Sequence, residues 1–310
     1  MSVLTSTRAR ASATSGFGQV AAAGVLWGTG GIAVHLVRDH ADLSAVVITG
    51  YRVAIGALVL LVLLSASRRT HDLAALLRRR PGLVAVVALS TLAYQLLYYL
   101  AVVQAGVSVA TVVTLGLAPL LLTAHEARAR RRLPSGVQLA TLAAALTGLV
   151  LVARETDPAA TADSPTLGLL SAVGSAAAYA LATRRGVELM AATDEPLAVA
   201  TVTTSVGAVV MVPTLVILAA TGAQVDTTEP AALGLLAYLG VATMALATCL
   251  VFAGLRSVSG SAATLATLLE PIAAATLAVA LLGERLGGLG WLGVGLVVFA
   301  LAGLATRRSP

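Results

Sequence analysis

Two charged residues, Glu270 and Arg52, stand inside long apolar stretches of the sequence. If those stretches are transmembrane helices, Glu270 lies ~16 Å deep and Arg52 ~14 Å deep, counted from opposite faces at about 1.5 Å per residue. A charge at that depth costs at least about 2.5–3.5 kcal/mol and is usually functional or paired. Three interpretations stay open for Glu270: a carboxylate that takes up a proton or an ammonium group, a protonated carboxyl hydrogen-bonded within the bundle, or a static ion pair with Arg52.

Bulky polar side chains cluster in another apolar stretch, as Tyr94, Gln95, Tyr98 and Tyr99. A spacing of four residues places them on two neighbouring stripes of one helix. They either line a cavity or anchor the helix at the membrane interface, and both interpretations remain open. Trp27, with the glycines that follow it, indicates close helix packing beside an aromatic wall.

Two prolines, Pro119 and Pro271, fall inside apolar stretches. A helical proline removes the hydrogen bond to the carbonyl four residues earlier, which is that of Leu115 or Thr267 here. In hydrocarbon a freed carbonyl must find another partner. The prolines therefore predict either kinks that shape packing or a pair of hinges beside a cavity.

No pattern for catalysis or for a cofactor emerges. The single cysteine, Cys249, excludes an intrachain disulfide and a cysteine metal cluster. The four histidines fall at different depths, so we predict no metal site, no cofactor and no enzymatic activity.

The composition excludes a soluble protein. Of the 310 residues, 58% are hydrophobic and 11% are charged, with a mean hydropathy of +0.94, whereas soluble domains carry about 25% charged residues. Stretches of about 17–25 apolar residues can cross a membrane as helices. We predict ten such spans, at roughly 17–37, 43–65, 82–103, 108–125, 136–153, 166–183, 197–220, 231–255, 259–282 and 287–306.

The chain has a net charge of +6, and its 20 strongly basic residues are all arginines. If the N-terminus is cytoplasmic, roughly sixteen of the 20 arginines lie on the cytoplasmic side of the membrane. The positive-inside rule therefore places both termini in the cytoplasm. The arginines form short clusters between apolar runs, so we exclude nucleic acid as a partner.

The two halves of the chain resemble each other. Residues 101–119 align without a gap to 253–271, which pairs Pro119 with Pro271, and five spans lie on each side of a polar linker at 154–165. A unit with an odd number of spans starts and ends on opposite sides of the membrane, so its copy is inverted. Inverted repeats are typical of transporters, with the substrate site near the midplane between the repeats.

The sequence resembles the EamA-type branch of the drug/metabolite transporter superfamily over nearly the whole chain. The resemblance is carried by Trp27-Gly28, Arg52, Pro119, Glu270-Pro271 and the Gly-Glu pair that ends at Glu284. It implies a ten-helix transporter of the cytoplasmic membrane, with a cavity lined by spans 1, 3, 4, 6, 8 and 9, and export of amino acids or other small metabolites. Repeat 1 departs from the pattern because residues 131–134 replace its Gly-Glu ending, so the family glutamate is expected only at Glu284.

We therefore expect an all-α membrane protein with ten transmembrane helices in two inverted five-helix repeats, 17–153 and 166–306. The expected function is secondary export of small metabolites such as amino acids by alternating access. The alternatives are a lipid-carrier flippase and an uncoupled facilitator or importer. The expected partners are a small-molecule substrate, a coupled proton and the lipid bilayer, with the protein either a monomer or a homodimer. The candidate substrate-binding or coupling residues are Glu270, Arg52, Gln95, Tyr98, Tyr99 and Trp27, and the candidate hinges are Pro119 and Pro271.

Overall fold

The computed structural model describes residues 2–156, 164–282 and 286–305. The predicted linker at 154–165 and Glu284 lie largely or wholly outside those residues. Within them the chain is helical and contains no strand. The helices are α1 (Ser2–His40), α2 (Ala45–Ala66), α3 (Thr70–Arg79), α4 (Pro81–Ala105), α5 (Val107–Arg130), α6 (Gly136–Thr156), α7 (Pro165–Thr193), α8 (Pro196–Ala220), α9 (Pro230–Tyr238), α10 (Ala247–Gly254), α11 (Gly260–Ala266), α12 (Leu269–Leu282) and α13 (Gly288–Ala305), with a π-helix (Leu239–Leu246) joining α9 to α10.

The predicted all-α membrane fold is confirmed. Nine segments in the described part of the chain are long and apolar enough to cross a membrane, and Gly288–Gly303 forms a shorter apolar helix at the tenth predicted position. Span 8 comprises α9, the π-helix and α10, and span 9 comprises α11 and α12. Large apolar side chains face outward, such as Phe299 at 77% exposure and Val209 at 73%. Extensive apolar surface on helices long enough to span a bilayer is typical of contact with lipid.

Prolines begin four of the helices. Pro81, Pro165, Pro196 and Pro230 occupy the first turn of α4, α7, α8 and α9. This position suits proline because its missing N–H would have no partner there and its φ is already helical. These four starts agree with the span edges that the sequence predicts.

Some helices extend beyond the predicted spans, and one helix lies between two of them. Span 6 continues as α7 to Thr193, ten residues past the predicted end at 183, and Arg184 and Arg185 pair with Glu188 on this extension. Helix α1 extends well beyond 17–37 at its N-terminus. The short helix α3 between spans 2 and 3 was not predicted; Leu76 attaches it to the core.

Contacts between helices follow the inverted repeat. Span 3 packs on span 6 as span 8 packs on span 1, and span 4 packs on span 6 as span 9 packs on span 1. Spans 2 and 7 contact each other, as do spans 5 and 10. If each span of the first repeat is replaced by its counterpart in the second, so that span 1 becomes span 6 and span 3 becomes span 8, the same set of contacts results. This is expected for two related five-helix units.

The core is distributed unequally between the two ends of the bundle. The end that carries the N-terminus holds one large cluster drawn from spans 1, 2, 3, 6, 7, 8 and 9. Toward the opposite end lie two smaller clusters, one from spans 1, 2 and 8 and one from spans 3, 4 and 6. A further cluster joins spans 4, 5, 9 and 10, and a small one joins spans 4 and 6. The largest buried cluster therefore lies at the N-terminal end of the bundle.

Candidate functional site

Arg52 is held at mid-bundle by a backbone carbonyl. Its Nη2 donates to the carbonyl oxygen of Thr243 at 3.2 Å, and the indole N–H of Trp27 donates to the same oxygen at 2.9 Å. Both side chains are half-buried. Trp27, predicted as a packing residue and also as a candidate substrate-binding residue, therefore donates a hydrogen bond beside Arg52.

The carbonyl of Thr243 is available because span 8 contains a π-helix. In a regular α-helix the N–H of Ala247 would bond to it, but here that N–H bonds to the carbonyls of Ala242 and Met244. π-Helical segments are rare and are frequent at functional sites. No feature of the sequence indicated this role for Thr243.

Glu270 begins the second half of an interrupted helix. Span 9 was predicted as one helix, but α11 ends at Ala266 and α12 begins at Leu269. The carbonyl of Thr267, freed by Pro271, accepts the N–H of Glu270 at 2.9 Å. The predicted loss of the regular hydrogen bond therefore has a visible structural result: a break immediately before Glu270.

The two prolines do not produce equivalent structures. Pro119 is buried inside α5, which continues unbroken from Val107 to Arg130. The interruption is confined to span 9, so the repeats differ where the sequence suggested a symmetric pair of hinges. The difference arises because two N–H groups before Pro271 form short-range bonds, from Leu268 to Leu265 and from Glu270 to Thr267.

Helix α1 approaches the interruption closely through glycine. A Cβ on Gly28 would lie 2.5 Å from the carbonyl oxygen of Glu270 and 2.7 Å from the Cβ of Ala273. Gly24 packs in the same way on Thr267, at 3.3 Å from its Cα. The predicted close packing around Trp27 is therefore confirmed at Gly28, whereas Gly31 has no neighbour within 4 Å.

The carboxylate of Glu270 accepts no hydrogen bond and forms no ion pair with any described residue. It interacts electrostatically with Arg52, but no guanidinium nitrogen lies within the 4.0 Å of an ion pair. Glu270 is half-buried. The structure thus brings the two predicted charges into one region without joining them directly.

Three tyrosines form the wall beside these charges. The rings of Tyr94 and Tyr179 stack with centroids 4.8 Å apart, and those of Tyr94 and Tyr98 lie 6.3 Å apart. The hydroxyl of Tyr98 is hydrogen-bonded to Thr111 and that of Tyr179 to Thr267. All three phenols interact electrostatically with Glu270.

Tyr179 was missed by the sequence reasoning. It is one of only six tyrosines in the chain and stands in the middle of span 6, which is the signal that could have identified it. Gln95 lies on the same helix as Tyr94, and its amide donates to the carbonyl of Thr91 at 3.5 Å. Tyr99 lies in α4, and the structure does not describe its side chain.

Polar contacts join the helices at the N-terminal end. Asp194 binds Arg256 through both carboxylate oxygens, and Arg69 binds Glu195 at 2.7 Å. The Glu126 carboxylate accepts from the backbone N–H of residue 261 at 3.0 Å. These contacts join spans 2, 4, 6, 8 and 9 and their loops at that end.

A cavity opens in the other half of the bundle. It has a volume of about 340 Å³ and lies between spans 1, 8 and 9. Its lining is mainly aliphatic, with one polar contact, a 2.6 Å hydrogen bond between the hydroxyls of Thr29 and Tyr238. Leu281, at its edge, is 66% exposed.

Two five-helix units with polar side chains from both units at mid-depth define the class: a multi-pass membrane transporter. The profile of the EamA-like transporter family matches residues 14–154 and again 166–306, and the chain belongs to that family. The chain is 28% identical over 282 residues to the "Uncharacterized transporter YwfM" of Bacillus subtilis (strain 168), covering 90% of each chain. A solved crystal structure shares the fold, with a TM-score of 0.77 and 17% identity over 94% of this chain and 96% of that one.

Proposed function

We propose that the protein exports small metabolites such as amino acids, driven by the proton gradient, from a site centred on Glu270. The observation that carries the proposal is the half-buried carboxylate without a partner in the described part of the chain, beside Arg52 and Tyr94. A charge in a low-dielectric environment without a partner is costly. A proton or a substrate ammonium can remove that cost, so Glu270 is suited to exchange one for the other.

Alternating access is supported by the unequal packing of the two ends. The largest buried cluster lies at the N-terminal end, whereas the clusters toward the opposite end are smaller and the cavity between spans 1, 8 and 9 opens there. The arginine distribution assigns the N-terminal end to the cytoplasm. The proposed cycle exchanges the conformations of the two repeats, 17–153 and 166–306, so that the cytoplasmic end opens as the outer end closes.

The test is transport in proteoliposomes against an amino-acid panel, with and without a pH gradient. We expect uptake of one or more amino acids to depend on the gradient. Glu270→Gln keeps the size of the side chain but cannot release a proton. It should abolish gradient-driven accumulation while leaving exchange of substrate across the membrane.

Glu188→Gln is the matched control. Glu188 pairs with Arg184 and Arg185 near the end of α7, away from the site, so this variant should behave as the parent does. If Glu270→Gln accumulates substrate as well as the parent, Glu270 is structural and the proposed coupling is wrong. If it loses its fold, the structural interpretation gains, because a buried charge has lost its counterpart.

A lipid-carrier flippase is a second candidate, supported by the apolar cavity between spans 1, 8 and 9. Its aliphatic lining and the exposed Leu281 at its edge suit an acyl chain entering from the bilayer. Translocation of a fluorescent short-chain lipid in the same proteoliposomes tests it. Lipid translocation in the absence of amino-acid uptake would favour the flippase.

A further inference from the structure

Arg52 has donors that the protein leaves unused. A guanidinium carries five N–H groups. In the described part of the chain only one of its nitrogens, Nη2, has a hydrogen-bond acceptor, the carbonyl of Thr243. The Nε atom is buried and has no partner. A buried donor without an acceptor costs free energy, so an acceptor is expected from elsewhere.

The position of this guanidinium is imposed by the backbone. Thr243 is fully buried, and the π-helix leaves its carbonyl to Arg52 and Trp27. Holding one nitrogen on a fixed carbonyl orients the planar group and leaves its other donors available. An oriented guanidinium with free N–H groups is suited to binding a carboxylate through two parallel hydrogen bonds.

Glu270 could have neutralised Arg52 but does not reach it. The two groups interact electrostatically, yet they form no ion pair within 4.0 Å. The hydroxyl of Tyr94 interacts with both charges and has no hydrogen-bond partner among the described residues. One positive group, one negative group and one hydroxyl thus lie within electrostatic range of one another, with hydrogen-bonding capacity unused in each.

We propose that this region binds a small zwitterion, with its anionic group on Arg52 and its ammonium on Glu270. The stacked rings of Tyr94 and Tyr179 provide the apolar surface for the rest of the molecule. The proposal rests on the proposed function, since it assigns the substrate class to the same site. It makes Arg52 a substrate ligand rather than the ion-pair partner of Glu270.

Tryptophan fluorescence provides a direct binding assay. The chain has two tryptophans, and Trp291 is 47% exposed on span 10, so Trp291→Phe leaves Trp27 as the only tryptophan, which is excited selectively over tyrosine at long wavelength. Because Trp27 shares its acceptor with Arg52, a ligand on Arg52 should change the emission of Trp27. The probes are leucine, methionine and phenylalanine, each compared with the amine that lacks its carboxylate and the acid that lacks its ammonium.

We expect at least one amino acid to bind. The matching amine, which lacks the carboxylate, and the matching acid, which lacks the ammonium, should each bind at least about tenfold more weakly, because each loses charge-assisted hydrogen bonds. Arg52→Gln should remove the difference between amino acid and amine, and Glu270→Gln the difference between amino acid and acid. Arg38→Gln, at the exposed end of α1, is the matched control and should change neither.

Binding of an amine or an acid as tight as that of its amino acid overturns the proposal, as does the absence of any response to all three amino acids. These ligand comparisons are made on protein with an intact site, so they decide the question even if Arg52→Gln does not fold. Gradient-driven transport of an amine or an acid, without transport of the amino acids, would overturn the proposal that the substrate is a zwitterion. It would leave the proposed transport function intact. No gradient-driven transport of any probe or panel compound would overturn the proposed function itself.

Discussion

Gly28 provides the sharpest test of how the site is positioned. A Cβ there would lie 2.5 Å from the carbonyl oxygen of Glu270, whereas ordinary contacts begin at 3.4 Å. Helices α1 and α12 must therefore separate by about 1 Å in Gly28→Ala, at a cost of about 1–3 kcal/mol for overpacking. The variant should unfold at a lower temperature in detergent and transport more slowly, because the start of α12 carries Glu270.

Gly31→Ala is the control on the same helix. No atom lies within 4 Å of its Cβ, so the change should only improve helix propensity, by about 0.8–1 kcal/mol. Gly28→Ala gains the same propensity but loses more through the clash. Thermal unfolding and transport are measured for both variants. Equal stability and equal transport in the two would refute the conclusion that α1 positions Glu270 by close contact.

Two further predictions concern packing and topology. Gly293→Ala should destabilise the contact between spans 5 and 10 by about 1–3 kcal/mol, because its Cβ would lie 2.6 Å from a carbonyl oxygen. Gly295→Ala has no neighbour within 4 Å and should not destabilise it. Equal midpoints of thermal unfolding for the two variants would contradict the close packing of spans 5 and 10 at Gly293. In a Cys249→Ser background, a cysteine at Leu133, which is 93% exposed, should resist a membrane-impermeant maleimide in intact cells, and one at Thr228 should react. The reverse pattern would show that the N-terminus is outside.

Much of the architecture is encoded locally. A span needs only a run of apolar residues, so composition and length identify the helices, and proline at the first position marks four of the starts. Charge placed deep in apolar runs identifies Glu270 and Arg52 as candidates, because such charges are costly anywhere in a membrane. The inverted repeat is likewise readable from the gapless match between 101–119 and 253–271.

The sequence by itself therefore determined the class of the protein, its repeats and which charges lie at depth. Only the tertiary structure decided what those charges contact. Arg52 binds the carbonyl of Thr243, 191 residues away, because a π-helix frees that carbonyl, and Tyr179 stacks on Tyr94 from the other repeat. Backbone carbonyls are the same at every residue and the partners come from distant helices, so neither residue type nor spacing encodes these contacts. They arise only when the two repeats pack together.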